Sequence, residues 1–473
     1  MIMGAERSAA VSGQTYEVRN PATGEVVDSV PDAGPADVDR AVEAAAAAQR
    51  SWGKLPPAER AKVLHRAAEH MLGKVEEIAP LLTAEQGKTI LESRLEAERF
   101  GENIAWYADL ADKVHGEQVA LPDPRAYGLV VRRPMGVTGA IVPWNFPLTL
   151  AANKVAPSIA AGNCVVLKPA PTTPLATARC IEALIEGGLP EGVVNVVFGS
   201  GSGEAIVAHP GIRKVALTGS TPTGRKAMAA AASTLKKVVL ELGGSDPCIV
   251  LDDADLDEAA KAISTGRFFN CGQACLAVKR LYVQEGVFDP LLERLVERAR
   301  KLKPGNGMDK ATRMGPMHTA NQRAEVEAQV QDAIDRGARV VFGGGRPEGP
   351  EYANGHFINP VILVDVPEES RMFREEVFGP ALPVVPIKDL DEGIRKANDS
   401  PFGLGSSIWT SSMAAARRAV DELEAGYTWV NALQVAHDEL PFGGTKQSGF
   451  GKEHGVQALE DYTEQKAVVY GLV

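Results

Sequence analysis

Cys275 ends the run Phe268-Phe269-Asn270-Cys271-Gly272-Gln273-Ala274-Cys275, 34 residues after Glu241 in Leu240-Glu241-Leu242-Gly243-Gly244. A thiol is the strongest nucleophile a protein offers near neutral pH, and a carboxylate can activate a later water. Together they suggest covalent chemistry in two stages, in which the sulfur forms a bond that water then breaks. The paired glycines after Glu241 let the chain turn tightly there. Cys271 lies four residues before Cys275 and reads as a buried bystander rather than a redox partner. A strand-end glutamate is usually a solvated charge, and Asn145 in Pro143-Trp144-Asn145-Phe146-Pro147 is by itself a turn residue between prolines.

The elements that must position these residues can be read from the hydrophobic pattern. Short extended pieces at Glu17–Val18 and Val26–Val30 precede three helical patterns, Ala36–Arg50, Ala58–Pro80 and Ala84–Val114. Pro122, Pro124 and Pro134 then set off a strand over Tyr127–Arg133. From Val137 onward, strands Val137–Val142, Cys164–Lys168, Val193–Val197, Val215–Thr218 and Val238–Glu241 alternate with helices Leu148–Ile159, Pro174–Gly187, Gly203–His209 and Thr223–Ala232. Apolar strands separated by helices form a parallel sheet with right-handed crossovers. Such an α/β fold binds dinucleotides at the carboxyl ends of its strands. A second alternating block starts at Cys248–Leu251, and the chain finishes on Lys466–Val473, whose Val468, Val469 and Tyr470 suit an edge strand.

Two features face the expected crevice. Leu217-Thr218-Gly219-Ser220-Thr221-Pro222-Thr223-Gly224 joins a strand to a helix. Glycine admits close backbone approach, and the free N–H groups of a helix start attract an anion. A Gly-Ser turn alone is more often a plain helix cap, and this one lacks the three-glycine dinucleotide fingerprint. Lys168 ends its strand before a proline-started helix, 23 residues after Asn145.

Composition excludes several classes. The chain has 473 residues, too many for a single core, so two or more domains are expected. Its 45% hydrophobic and 23% charged content is that of a globular protein. The net charge of -11 is spread along the chain, unlike the basic stripe of a nucleic-acid binder. Five cysteines make no disulfide framework, and with eight scattered histidines they form no metal-ligand pattern. The start at Met1–Gly13 lacks the apolar core of a signal peptide, and no apolar run suits a bilayer. The expectation is a cytoplasmic protein with no metal, nucleic-acid or membrane partner.

Taken in order, Pro143-Trp144-Asn145-Phe146-Pro147, Leu240-Glu241-Leu242-Gly243-Gly244, the Cys275 loop and Glu376-Val377-Phe378-Gly379-Pro380 resemble the aldehyde dehydrogenase superfamily over almost the whole chain. The resemblance implies a Rossmann-like cofactor domain (residues 1–117 and 135–243), an α/β catalytic domain (244–445) and a small β oligomerisation element (118–134 and 460–473). It also implies roles. Cys275 would attack an aldehyde, Asn145 and the Cys275 backbone N–H would hold the oxyanion, and Glu241 would activate water against the thioester. Lys154 and Glu453 resemble a pair that passes protons outward. Trp144, Lys168, Gly219, Ser220, Glu376 and Phe378 would line the site of NAD or NADP. Many relatives carry Glu three residues after the lysine, where it repels a 2′-phosphate. Pro171 stands there instead, so either cofactor fits, with NAD the preferred of the two. A homodimer or homotetramer is expected, because Tyr127–Arg133 and the tail would each leave an unpaired strand edge in a lone protomer.

The substrate is a small-molecule aldehyde. Glu241-Leu242-Gly243-Gly244-Ser245-Asp246-Pro247 and Leu440-Pro441-Phe442-Gly443-Gly444 are similar to the semialdehyde and hydroxyaldehyde branch. Succinate-semialdehyde members place an arginine where this chain has Phe269, which with Trp144 and Phe146 suggests an apolar or aromatic wall instead. His437 and Asp438 would add polarity at its mouth. The alternatives are a succinate-semialdehyde-type enzyme, a CoA-acylating enzyme, against which Glu241 tells, and a non-catalytic protein on the same fold, against which the intact Cys275, Asn145 and Glu241 tell.

Overall fold

The computed structural model describes residues 1–472. Its first sheet has eight strands in the order Glu6–Arg7, Ile2–Met3, Val194–Val196, Cys164–Lys168, Val137–Ile141, Lys214–Thr218, Lys237–Glu241 and Gly449–Phe450. The middle five are parallel. They are buried on both faces, which is why Val165, Val166 and Leu167 read as an unbroken apolar run. The chain steps from Val137–Ile141 outward to Val194–Val196, then returns to continue on the other side at Lys214–Thr218. That reversal opens a crevice at the carboxyl ends of Val137–Ile141 and Lys214–Thr218. The segment Pro143–Pro147 and the Gly219-Ser220 turn are the two continuations that border it.

A second sheet orders Arg339–Gly343, Val361–Val364, Ala381–Ile387, Val278–Gln284, Asp246–Val250, Gly405–Trp409 and Tyr427–Val430, all parallel except the first. Separate apolar clusters cover its two faces. A third sheet places Ala126–Pro134 between Glu117–Ala120 and the tail strand Thr463–Gly471, both antiparallel to it. The segment and the tail thus pair with each other, Leu129 opposite Val468, rather than each standing unpaired. The exposed edges are the outer ones of Glu117–Ala120 and of the tail. Val473, at the end of the expected tail strand, lies outside the described residues.

The N-terminal helices differ from the sequence reading. Four form, Pro35–Trp52, Pro57–Leu72, Val75–Gln86 and Ile90–Leu110, where three patterns are legible. Pro80 lies inside the third helix, and the break comes earlier, at Gly73, whose N–H bonds to the Glu69 carbonyl and ends the second. The next break is at Gly87, with φ +98, a left-handed cap where a Cβ would sit 2.6 Å from Pro21. Thr89 starts the fourth helix through a reciprocal cap with Glu92. This geometry aims Glu96 at the start of helix Pro147–Ala160, where it accepts the Leu148 and Thr149 N–H groups at 2.8 and 3.3 Å. An acidic group suits a helix N-terminus, and here it fixes the segment that carries Asn145.

Candidate active site

The Cys275 loop begins where helix Leu256–Phe268 stops. Asn270, Cys271 and Gly272 follow with φ of +50, +55 and +72, a left-handed stretch that ordinary side chains rarely enter. Buried polar partners hold it. Glu92 accepts the Asn270 N–H at 2.7 Å, the Asn270 side chain donates to the Asn145 carbonyl at 2.8 Å, and Gln273 accepts the His318 N–H at 2.8 Å. Arg267, wholly buried, donates to the carbonyls of Val278, Gly272 and Val377. Gly272 is required because a Cβ would lie 2.5 Å from the Gly379 backbone. Cys271 faces Met317 at 3.7 Å inside the core, as a bystander would.

Cys275 itself is half-buried. Burial pushes its thiol up to about 12, with Lys279 opposing and Glu376, Asp246 and Glu241 adding to the rise. The sulfur is therefore a protonated thiol at rest. Lys279, whose side chain is wholly buried, donates to the Cys275 carbonyl and to Glu376 Oε1, both at 2.7 Å. Asn145, 4% exposed, gives one amide N–H to the Gln273 carbonyl at 3.0 Å and retains a second. Lys88 supports this residue by donating to its carbonyl at 2.8 Å while lying 4.1 Å from the Phe146 ring centre.

Glu241 closes strand Lys237–Glu241 and is 3% exposed. Both carboxylate oxygens are buried without a hydrogen-bond partner. Burial raises its pKa well above the usual carboxylate range, Glu453 raises it further, and Lys154 and Lys452 pull the other way. A side chain at Gly443 would meet Glu241 Oε1 at 2.5 Å, so that glycine makes room for the carboxylate. Lys154 Nζ lies 2.6 Å from both Glu453 Oε1 and Thr218 Oγ1, in a pair almost wholly out of solvent.

The crevice residues suit a dinucleotide. Lys168 is 7% exposed and donates only to its own neighbour's carbonyl, Pro169, at 3.2 Å. Burial lowers it to about 8, and its remaining N–H donors are free to meet a ligand. Ser220 caps helix Thr221–Ala232 and is exposed, and at Gly219 the nearest atom to a built Cβ is 3.6 Å away, leaving space above the helix start. Glu376 accepts the Gly244 N–H at 3.0 Å and sits so close to Gly243 that a Cβ there would lie 2.3 Å from its Oε2. Its neighbour Glu375 instead pairs with Arg371. Phe378 meets Trp144 edge-on, ring centres 5.6 Å apart.

Trp144 also stacks on His318 at 4.6 Å, a residue without a sequence signal. Burial lowers His318 to about 4, so its ring is neutral. Nδ1–H then donates to the Gln86 carbonyl at 3.1 Å and Nε2 accepts from the Thr172 hydroxyl at 2.6 Å, which ties the aromatic wall to the turn after Lys168. On the other side of Asn145, Phe146 and Phe269 stack with centres 6.1 Å apart. Asp438 corrects its expected place at the mouth, because it is buried between Arg99, Asn103 and His454, whereas His437 is exposed. Lys279, Lys88, Asn270 and His318, which carry no sequence signal, thus stand among the candidate residues Cys275, Glu241, Asn145, Lys154 and Glu453.

Residues 8–468 match the aldehyde dehydrogenase family. The chain is 42% identical to phenylacetaldehyde dehydrogenase of Pseudomonas fluorescens, over 99% of this chain and 95% of that one. It is 40% identical to glutarate-semialdehyde dehydrogenase of Pseudomonas aeruginosa, over 98% of this chain and 95% of the relative. Among solved structures, betaine aldehyde dehydrogenase of Staphylococcus aureus in complex with NAD+ superimposes with a TM-score of 0.96 at 34% identity, covering 100% of this chain and 94% of the other. An NADP dependent enzyme of E. coli gives 0.97 at 38% identity, covering 100% and 98%. The chain belongs to the aldehyde dehydrogenase family, and its activity is the NAD(P)-dependent oxidation of an aldehyde.

Proposed function

We propose that the chain converts an apolar aldehyde of medium length, or an aromatic one, to its acid through a Cys275 thioester that Glu241 opens to water. The observation that carries this reading is the Glu241 carboxylate, buried with both oxygens unpartnered on a strand end and near enough for its charge to bear on the Cys275 thiol. An unpaired buried carboxylate is costly, and a site keeps one where a proton must be taken up.

In the first stage the Cys275 thiol gives its proton to solvent water in the open cleft as its sulfur bonds the aldehyde carbon. The carbonyl oxygen becomes an oxyanion, which the second Asn145 N–H and the Cys275 backbone N–H hold. The nicotinamide, when bound, supplies the acceptor for the hydride that the carbon must lose. In the second stage Glu241 takes a proton from water, the water oxygen bonds the acyl carbon, and the carbon–sulfur bond breaks to return the thiol. Lys154 and Glu453 carry the proton away from Glu241. Lys168, Gly219, Ser220, Glu376, Trp144 and Phe378 hold the cofactor, with NAD preferred.

The Phe146–Phe269 stack supports an apolar substrate wall, and the identity to a phenylacetaldehyde dehydrogenase agrees with it. A second reading, a semialdehyde bearing a carboxylate, has its own observation. Phe269 also lines a cleft of about 440 Å³ with Arg298, Lys301, Arg313, Glu92 and Thr265, and Arg298 Nε is buried there without a partner. These cations stand beside the position where an arginine is missing. NAD(P)H absorbance with phenylacetaldehyde, hexanal, glutarate semialdehyde and succinate semialdehyde, each with and without CoA, tests both readings. Turnover that requires CoA would overturn the hydrolytic step. A preference of about tenfold or more for a semialdehyde, near 1.4 kcal/mol, would replace the first substrate by the second.

We further divide the chain into 1–117 with 135–243, 244–445, and 118–134 with 460–473, a division supported by the three largest sheets except at Gly449–Phe450, which joins the first sheet from outside these ranges. The exposed outer edges of the small sheet favour assembly into a homodimer or homotetramer. Light scattering on the eluted protein tests this, and a monomer at micromolar concentration would refute it. Among the described residues no helix is long and apolar enough to cross a membrane. With five free cysteines, a cytoplasmic setting is the natural one.

A further inference from the structure

His454 follows Glu453 and holds a backbone conformation, φ +59 and ψ 172, that glycine alone enters without cost. Such a conformation persists only where its surroundings over-determine it. Three backbone hydrogen bonds do part of this, Glu453 N–H to Phe442 O, Phe442 N–H to Glu453 O and Gly455 N–H to Asp438 O, each 2.7 Å. The ring, in a residue 4% exposed, does the rest, with Nδ1 2.9 Å from Asp438 Oδ1 and Nε2 2.9 Å from Asn153 Nδ2.

The proton on the Asp438 bond is fixed by its partner. Burial raises the Asp438 carboxyl, but His454, Arg99 and Asn103 outweigh it and hold the group below its usual range. As a carboxylate it only accepts, so His454 Nδ1 carries the hydrogen. Nε2 then accepts from the Asn153 amide nitrogen that faces it. Arg99 at 3.0 Å and Asn103 at 3.1 Å brace Asp438 from helix Ile90–Leu110. Asn153 and Lys154 are adjacent on helix Pro147–Ala160, as Glu453 and His454 are adjacent in their turn. The two neighbours on each side therefore form two rungs, Asn153 to His454 and Lys154 to Glu453, the second at 2.6 Å.

We propose that His454, clamped between Asp438 and Asn153, is a positioning residue that holds the strained turn and so keeps the Glu453 carboxylate on Lys154 for thioester hydrolysis. The ring touches neither substrate nor cofactor in this role. It acts by fixing the direction in which the preceding side chain leaves the backbone, and it rests on the reading of Glu241 as the deacylating base.

The test is rapid-mixing kinetics on the full-length enzyme with phenylacetaldehyde and NAD+, comparing wild type, His454→Ala, Asp438→Asn and Glu241→Gln. Asp438→Asn lets an amide donate to Nδ1, which moves the ring hydrogen to Nε2 and sets it against the Asn153 N–H. For both clamp variants we expect a first turnover of one NADH per site, followed by a steady state about tenfold or more below wild type. His454→Gln, whose amide can reach both partners, should recover at least about a third of the rate. A steady state within about twofold of wild type in either clamp variant overturns the proposal, as does a first turnover lost in parallel with the steady state, the mark of a merely structural residue. Should His454→Ala not fold, Asp438→Asn decides alone. Slow hydrolysis in Glu241→Gln with normal hydrolysis in the clamp variants sinks this inference and spares the base. Normal hydrolysis in Glu241→Gln sinks the base itself.

Discussion

Replacing Glu241 by Gln removes a base and a buried charge together, and the two losses point in opposite directions. The carboxylate is 3% exposed with neither oxygen bonded, and burial followed by Glu453 raises its pKa well above the usual range. A carboxyl whose folded pKa exceeds its unfolded one binds its extra proton in the folded state. Stability therefore falls as pH rises from about 4.3, the unfolded value, toward the folded one. Glutamine cannot ionise and escapes that fall. Glu241→Gln should match the wild type in Tm at about pH 4 and exceed it at about pH 8 by about 1 kcal/mol, the excess of a bare charge over a bare amide. In a chain of this size that is a rise of about 1–2 °C. Activity should move the other way. Loss of a general base costs about 10²–10⁴ in rate, here in hydrolysis alone, so one NAD(P)H per site forms before turnover slows. Steady-state turnover of the wild type should climb with pH as Glu241 loses its proton, and the variant should lose that climb. Scanning calorimetry at the two pH values and stopped-flow absorbance check both halves. Unchanged turnover would refute the base, and a lower Tm at the higher pH would refute the picture of an unpaired buried charge.

Cys275→Ala should abolish NAD(P)H formation while cofactor affinity, followed by quenching of tryptophan fluorescence, stays within about twofold, because the thiol takes part in chemistry alone. Residual turnover above background would remove Cys275 as nucleophile. Pro171→Glu should cut kcat/KM for NADP by about tenfold and leave NAD nearly unchanged, since a carboxylate near Lys168 opposes a 2′-phosphate. An unchanged ratio would move the ribose away from Lys168. Phe269→Arg should shift the ratio of kcat/KM for glutarate semialdehyde over phenylacetaldehyde upward by about tenfold, as a cation meets the carboxylate. No shift would place the distal end of the substrate away from Phe269.

The strand–helix alternation after Val137 was legible because parallel strands buried on both faces are apolar throughout. Cys164–Lys168 agrees residue for residue with the sequence reading. The short members escaped it. Ile2–Met3 and Gly449–Phe450 have two residues each, too few for any period, and join the first sheet only because distant strands leave an edge for them. Helix Leu390–Asn398 was missed although Asp389 caps it through the Glu392 N–H, because nine residues with a central Gly393 resemble a loop. The break at Gly87 needed its positive φ to be known, and that conformation is set by the packing of Pro21 and Pro316.

The site divides along the same line. Cys275 and Glu241 are reactive types beside turn-forming residues, so the local text carries them. Lys279, His318 and His454 do not stand out, because what gives each its role is a partner far along the chain. Lys279 meets Glu376 across 97 residues, His318 meets Thr172 across 146, and His454 meets Asn153 across 301. Polar groups buried in this way must be paired, since each bare one costs about 1–3 kcal/mol. The pairing is decided by how the sheets are placed against one another, which no window of sequence contains. Glu241 is the exception that both readings reach, marked in sequence by the glycines after it and in structure by oxygens that nothing satisfies. Glu453 Oε2 and Asp246 Oδ2 are bare as well, but among the carboxylates of the described residues Glu241 alone leaves both oxygens buried without a partner, at the position from which a proton must later be drawn out of water.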